Sequence, residues 1–267
     1  MSLPALPDYH VHTRFSDGDD ELDACVERAL RLGLPEIGIT DHLTPARFAD
    51  EGCCRPDRES LDDYVEAVRA IAAAHSQLRV LAGIEADYLA EAAEETLALL
   101  GSVSFDYVLC SIHYVDGFSF DESSSLGGEG WRDVDRVWRR YYETLIEATQ
   151  TGAFNVVAHL DLPKKWGFRP AADLSELEND VLAAIAAAGM AIEINTSGLD
   201  RYPVAEMFPS ASLLRRARAL GISLTFGSDA HCAAEVGSHF AEALDLARAV
   251  GYESFLRLSD GNSVALL

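Results

Sequence analysis

Seven short apolar runs alternate with seven longer amphipathic stretches along the 267 residues, and few folds can be written that way. The runs cover residues 8–12, 36–41, 79–85, 107–113, 155–159, 190–195 and 222–229. Each is rich in Val, Ile, Leu or Tyr and short enough for a strand buried on both faces. The stretches between and after them, roughly 20–32, 60–75, 91–101, 131–151, 173–189, 210–221 and 240–251, have helical length and patterning. Gly33, Gly101, Gly152, Gly189, Gly221 and Gly251 stand where those helices should end, a place for left-handed backbone. Ser60 with Asp63 reads as a capping box. Strand and helix repeated seven times imply a parallel sheet with right-handed crossovers, closed into an α/β barrel. No proline-rich linker or break in composition divides the chain, so one domain is expected over residues 1–267. Loops at 43–59 and 115–130 are long enough to act as substrate walls.

In a barrel of this kind the carboxyl ends of the strands carry the chemistry. His10 and His12 end the first run, and Asp41-His42 the second. Glu85, His113 and His159 end the next three, and Asp229 with His231 the last. All fall at one rim. His10 and His12 are two residues apart, which on a strand puts both rings on one face. Ser16-Asp17-Gly18 is a turn whose carboxylate can bend back over the mouth. Glu85 closes the apolar run Val80–Ile84, where a carboxylate is costly unless paired or bound to a cation. Each piece alone has a plainer reading: a turn, a helix cap for Asp41, a satisfied core histidine for His113 or His159. Their shared rim favours a multi-metal hydrolytic centre built from imidazoles and carboxylates. Glu193 ends no strand, since Ile194 and Asn195 follow it, and is expected to accept a hydrogen bond from a ligand imidazole. His75 and His239 read as structural.

Forty-four acidic residues against 21 Lys and Arg leave a formal charge of −23, a field that repels a polyphosphate backbone. Nucleic acid is therefore excluded as an expected partner. No apolar run is long enough to span a membrane, and the N-terminus lacks a signal-peptide layout, so a cytoplasmic protein is expected. Five cysteines without a Cys-x-x-Cys pair argue against a disulfide framework. Cys53-Cys54 reads as a loop pair and Cys110 as core.

The ordered set His10-Val-His12-Thr…Ser-Asp17-Gly, Thr-Asp41-His42, Gly-Ile-Glu85, Ser-Ile-His113, Ala-His159 and Gly-Ser-Asp229-Ala-His231 resembles the motifs of the polymerase and histidinol phosphatase (PHP) superfamily. The stretches from His113 to Asp121 and from Glu193 to Arg201 are similar to its histidinol-phosphate phosphatase branch. The resemblance implies a distorted (β/α)7 TIM-like barrel with two to three divalent ions, Zn, Mn or Fe. It places His10, His12, Glu85 and Asp229 on the first ion and Glu85, His113 and His159 on the second. Asp17, His42 and His231 fall to the third, although many family members carry histidine near position 17.

The resemblance further implies a metal-dependent phosphomonoesterase acting on histidinol phosphate, in which a hydroxide shared by two ions attacks phosphorus in line. Lys165 and Arg201 would grip the phosphate, with Lys164 beside them. A metal-activated water, Asp229 or His231 could protonate the leaving group. Asp116, Asp121 or Glu122 could receive the cationic half of the substrate. The alternatives are another phosphoesterase on the same scaffold, acting on nucleotides, oligonucleotides or phosphotyrosine, and a non-catalytic metal-binding barrel. Nothing in the sequence fixes the oligomeric state.

Overall fold

A computed structural model of the chain describes residues 6–45, 48 and 58–266. Among them the strands are β1 (Glu36–Ile39), β2 (His42–Leu43), β3 (Arg79–Asp87), β4 (Tyr107–Ser111), β5 (Tyr114–Val115), β6 (Phe118–Ser119), β7 (Val156–Val157), β8 (Ala191–Asn195), β9 (Leu224–Gly227), β10 (Ser254–Leu256) and β11 (Ser263–Ala265). The helices are α1 (Leu22–Leu32), α2 (Arg58–Ala74), α3 (Ala93–Ser102), α4 (Val134–Thr149), α5 (Ser175–Ala188), α6 (Ala211–Ala219) and α7 (Phe240–Ala249). No helix among the described residues is long and apolar enough to cross a membrane.

The parallel sheet runs β1-β3-β4-β7-β8-β9, with β2 also paired to β3. The expected first strand, 8–12, closes it, but not as a regular strand. Only single bridges form, Asp8 to Ile37 on one side and Val11 to Ala230 on the other. The segment divides its backbone groups between two neighbours. Gly38 N–H donates to the Asp8 carbonyl at 2.8 Å and Thr40 N–H to that of Val11 at 2.8 Å. On the opposite side Tyr9 N–H donates to the Phe226 carbonyl at 3.0 Å and His12 N–H to that of Ala230 at 2.8 Å. No continuous ladder is left for either neighbour, yet the two ends of the sheet meet through it.

Other local expectations shift. Gly101 lies inside α3 rather than after it, and α2 begins two residues before Ser60, which is therefore not its cap. The 115–130 loop folds as the β5–β6 hairpin followed by short 3-10 turns. Cys53-Cys54 and most of the 43–59 loop lie outside the described residues.

Strand period two sorts the side chains. Val80, Ala82, Ile84 and Ala86 of β3 join the outer core shared with the helices. Leu81 joins Tyr9, Tyr107, Leu109, Val156, Ala158 and Ala191 in the second, barrel-filling cluster, against which Leu256 and Leu258 pack. Gly83 has no side chain because the Tyr107 ring occupies its space: a Cβ there would stand 2.6 Å from Tyr107 Cζ. The next positions on the same face of β3 are Glu85 and Asp87. The apolar filling thus gives way to carboxylates at one end, where the site lies.

Candidate metal centre

The nine expected ligands converge. Their donor atoms form four overlapping groups: His10, His12 and Asp229; His10, Glu85 and His159; His42, Glu85 and His113; and His12, Asp17, His42 and His231. Glu85 stands between them. Its Oε2 lies 3.3 Å from His10 Nε2, 3.4 Å from His12 Nε2 and 3.0 Å from His42 Nδ1. Its Oε1 lies 2.8 Å from His159 Nε2 and 3.8 Å from His113 Nε2, and those two nitrogens are 3.3 Å apart. One carboxylate therefore faces two ligand sets with different oxygens, the geometry of a bridging ligand. Asp229 Oδ1 completes the first set, 3.3 Å from His12 Nε2. Asp17 faces His231 Nε2 at 3.1 Å, His42 Nε2 at 3.6 Å and His12 Nδ1 at 3.8 Å. The third group thus includes His12, which the resemblance places on the first ion alone.

Buried carboxylates hold the rings. His10 Nδ1 lies 3.0 Å from Glu193 Oε1, which leaves Nε2 for the centre. The same oxygen accepts the His159 backbone N–H at 2.8 Å and Asn195 Nδ2 at 2.8 Å. Glu193 thus meets the His10 ring as expected and also holds the backbone of His159. Asp87 does for His113 what Glu193 does for His10: its Oδ1 lies 2.8 Å from His113 Nδ1, and its Oδ2 accepts from Thr44 Oγ1 at 2.5 Å. Sequence reasoning ended the strand at Glu85 and missed Asp87, although a carboxylate two residues on shares its face. Asn195 and Ser197 donate to Asp229 Oδ2 at 3.3 and 3.0 Å. His159 and Asp229 sit at φ 26° and 54°, a left-handed turn that aims each side chain off its strand.

This donor set fits divalent cations. Among the described residues, His10 Nε2 and both ring nitrogens of His12 are buried with no hydrogen-bond partner. Such an orphan costs about 1–3 kcal/mol, and a cation taking the one lone pair of a neutral His12 ring would relieve one of its two. Burial, with the neighbouring His231 and His42, pushes the His12 imidazole down to about 3, so it is neutral at physiological pH and ready to ligate. Burial opposes ionisation of Glu85 and Asp229, yet the surrounding histidines hold both well below the usual carboxylate range. Six imidazoles and three carboxylates without a thiolate suit Zn, Mn or Fe better than a soft ion.

Above these side chains opens a cavity of about 240 Å³. Lys165 and Arg201 both line it, as do Asp121 and Glu122. Lys165 lies on the short turn Leu162–Trp166, and Arg201 Nη1 donates to the Asp229 carbonyl at 2.8 Å. Lys164 does not reach the cavity. It is wholly buried, donating to Asp161 Oδ2 at 3.1 Å and the Met207 carbonyl at 2.7 Å. The sequence cannot say which of two adjacent lysines in a tight turn faces inward; here Lys164 is a structural cation. Asp116 likewise points elsewhere, paired with Arg136 at 2.7 Å and Arg140 at 3.0 Å. His239 pairs with Asp200 at 2.6 Å and joins none of the four groups.

The profile of the PHP domain matches residues 8–197. A Deinococcus radiodurans protein named "Probable histidinol-phosphatase" is 34% identical over 251 residues, covering 93% of this chain and 95% of the relative. The Bacillus subtilis histidinol-phosphatase is 27% identical over 254 residues, covering 86% and 95%. The crystal structure of histidinol phosphate phosphatase from Lactococcus lactis, complexed with zinc, L-histidinol and phosphate, matches in fold with a TM-score of 0.76. It is 22% identical, and the match covers 97% of this chain and 99% of that one.

Proposed function

This chain belongs to the PHP domain family, and we propose that it hydrolyses L-histidinol phosphate to L-histidinol and phosphate. In this reading two or three divalent ions, Zn, Mn or Fe, are held by His10, His12, Asp17, His42, Glu85, His113, His159, Asp229 and His231. The carrying observation is that Glu85 turns its two oxygens to two histidine sets on the floor of a cavity walled by Lys165 and Arg201. Bound divalent ions would supply a nucleophile from water at neutral pH and offset the charge of the phosphoryl oxygens.

The chain's own groups do the rest. Lys165 and Arg201 bind the phosphoryl group and orient it toward the floor, Arg201 as a planar fork and Lys165 as a point charge. Glu122 also lines this cavity. Asp229 is held ionised by its histidine neighbours, so it serves as a ligand and not as the acid. With two ions bound and the third group empty, His231 is the side chain left to carry the leaving-group proton.

Phosphate release from histidinol phosphate and from p-nitrophenyl phosphate tests the reading, before and after chelation and after metal is restored. Turnover should strongly favour histidinol phosphate, vanish with chelator and return with Zn, Mn or Fe. A metal-loaded protein that releases no phosphate from histidinol phosphate would overturn it.

A further inference from the structure

Lys165 is 7% exposed and lines the cavity. Nζ donates to Asp121 Oδ1 at 2.5 Å. Its other neighbours include rings, with Tyr202 4.2 Å and Trp166 5.2 Å from Nζ to the ring centre. Asp121 comes from a different element, the segment after β6, and lines the same cavity. That segment is fastened to the lysine's turn a second time, by Trp166 Nε1 donating to the Phe120 carbonyl at 3.2 Å. The carboxylate is therefore a built part of the wall where a phosphoryl group meets Lys165.

We propose that Asp121 is a specificity-determining residue that weakens the hold on free phosphate, the product, by balancing the charge of Lys165. The inference rests on the phosphatase reading above. A phosphate dianion beside Lys165 meets an ammonium and, in contact with it, a full carboxylate. Attraction and repulsion partly cancel in a cavity where screening is weaker than in water. The substrate brings a cationic half that offsets the carboxylate, whereas free phosphate brings none. Asp121 thus penalises product more than substrate and favours its departure.

Asp121→Asn keeps the shape and an acceptor for Lys165 while removing the charge. The experiment measures binding of inorganic phosphate to the metal-loaded proteins and its inhibition of histidinol phosphate hydrolysis. Phosphate should bind the variant about tenfold more tightly, with a smaller change in KM for substrate. Asp121→Glu, which keeps the charge, should hold phosphate about as weakly as the parent. Equal or weaker phosphate binding by Asp121→Asn overturns the inference, and so does equal tightening by both variants. A parent protein that hydrolyses histidinol phosphate and binds phosphate, with an Asn variant no tighter, sinks the Asp121 role alone. A parent that does neither sinks the phosphatase reading and this inference with it.

Discussion

Glu193 holds His10 by its inner ring nitrogen, Nδ1 lying 3.0 Å from Oε1, while the same oxygen takes the backbone N–H of His159 at 2.8 Å. One carboxylate on β8 thus orients a ring from one strand end and the backbone of another. Gly227 makes room for it, since a Cβ there would stand 2.4 Å from Glu193 Oε2 and 2.6 Å from His10 Cβ. The carboxylate also fixes the tautomer that leaves His10 Nε2 free for a cation.

Glu193→Gln keeps a hydrogen-bond acceptor but loses the negative charge that makes His10 a good ligand. Zinc affinity should fall about 10–100-fold while the fold is kept. Competition against a chelator of known affinity checks this, with circular dichroism as the control. Unchanged affinity would show that His10 needs no such partner.

Much of this centre was legible in the chain because strand ends and period-two alternation are local properties. His10 and His12, Glu85 and Asp229 lie where an apolar run stops, and the barrel brings such ends together. What stayed hidden is long-range or a matter of which way a turn faces. Asp121 and Lys165 are 44 residues apart, and no periodicity joins them. Lys164 and Lys165 differ only in where a 3-10 turn points them. Residues 8–12 read as a strand by composition, but the backbone is shared between two neighbours and forms only bridges.

Metal uptake by the chelated protein should release protons at pH 8. Burial opposes a charge on His113, but Asp87 above all, with Asp121 and Glu85, raises it to about 10. His10 is likewise raised well above its usual value, against burial, by Glu193, Glu85 and Asp229. Both rings thus carry protons at pH 8 without metal, and a cation must displace them. About two protons should leave per filled centre, and affinity should rise about a hundredfold per pH unit while both are displaced. Titration with zinc in weakly buffered dye solution measures the release. An uptake that leaves pH unchanged would contradict the assignment of these two rings as ligands.

Arg201→Ala should raise KM for histidinol phosphate about 10–100-fold, with a smaller effect on kcat. Arg201 Nη1 lies 2.8 Å from the Asp229 carbonyl and 2.8 Å from His231 Nδ1, and its guanidinium rests 5.6 Å from the Tyr202 ring centre. Those contacts hold a fork at the cavity wall. Arg201→Lys should recover part of the loss, because charge remains but the two-point fork does not. Steady-state kinetics of the pair decide it; unchanged kinetics for the alanine variant would remove Arg201 from the site.

Asp8 ties the closing segment to the far side of the barrel, and its titration should be visible in stability. Its carboxylate is wholly buried and accepts from Ser228 N–H at 2.9 Å, Ser228 Oγ at 2.5 Å, Gly237 N–H at 2.9 Å and His10 N–H at 3.3 Å. Burial outweighs these donors and pushes its pKa from 3.8 up to about 6. A carboxyl raised on folding binds more protons in the folded chain. Its contribution is therefore full below about 4 and lost as pH rises through about 6. Asp8→Asn cannot titrate, and its amide faces the Gly237 or His10 N–H with a donor, a fixed cost of about 1–3 kcal/mol. The stability gap between parent and variant should accordingly shrink by about 1–2 kcal/mol from pH 5 to pH 7.5. Urea unfolding of both proteins in chelator at the two pH values measures that gap, and a gap that stays constant or widens would mean the carboxyl is already ionised at pH 5.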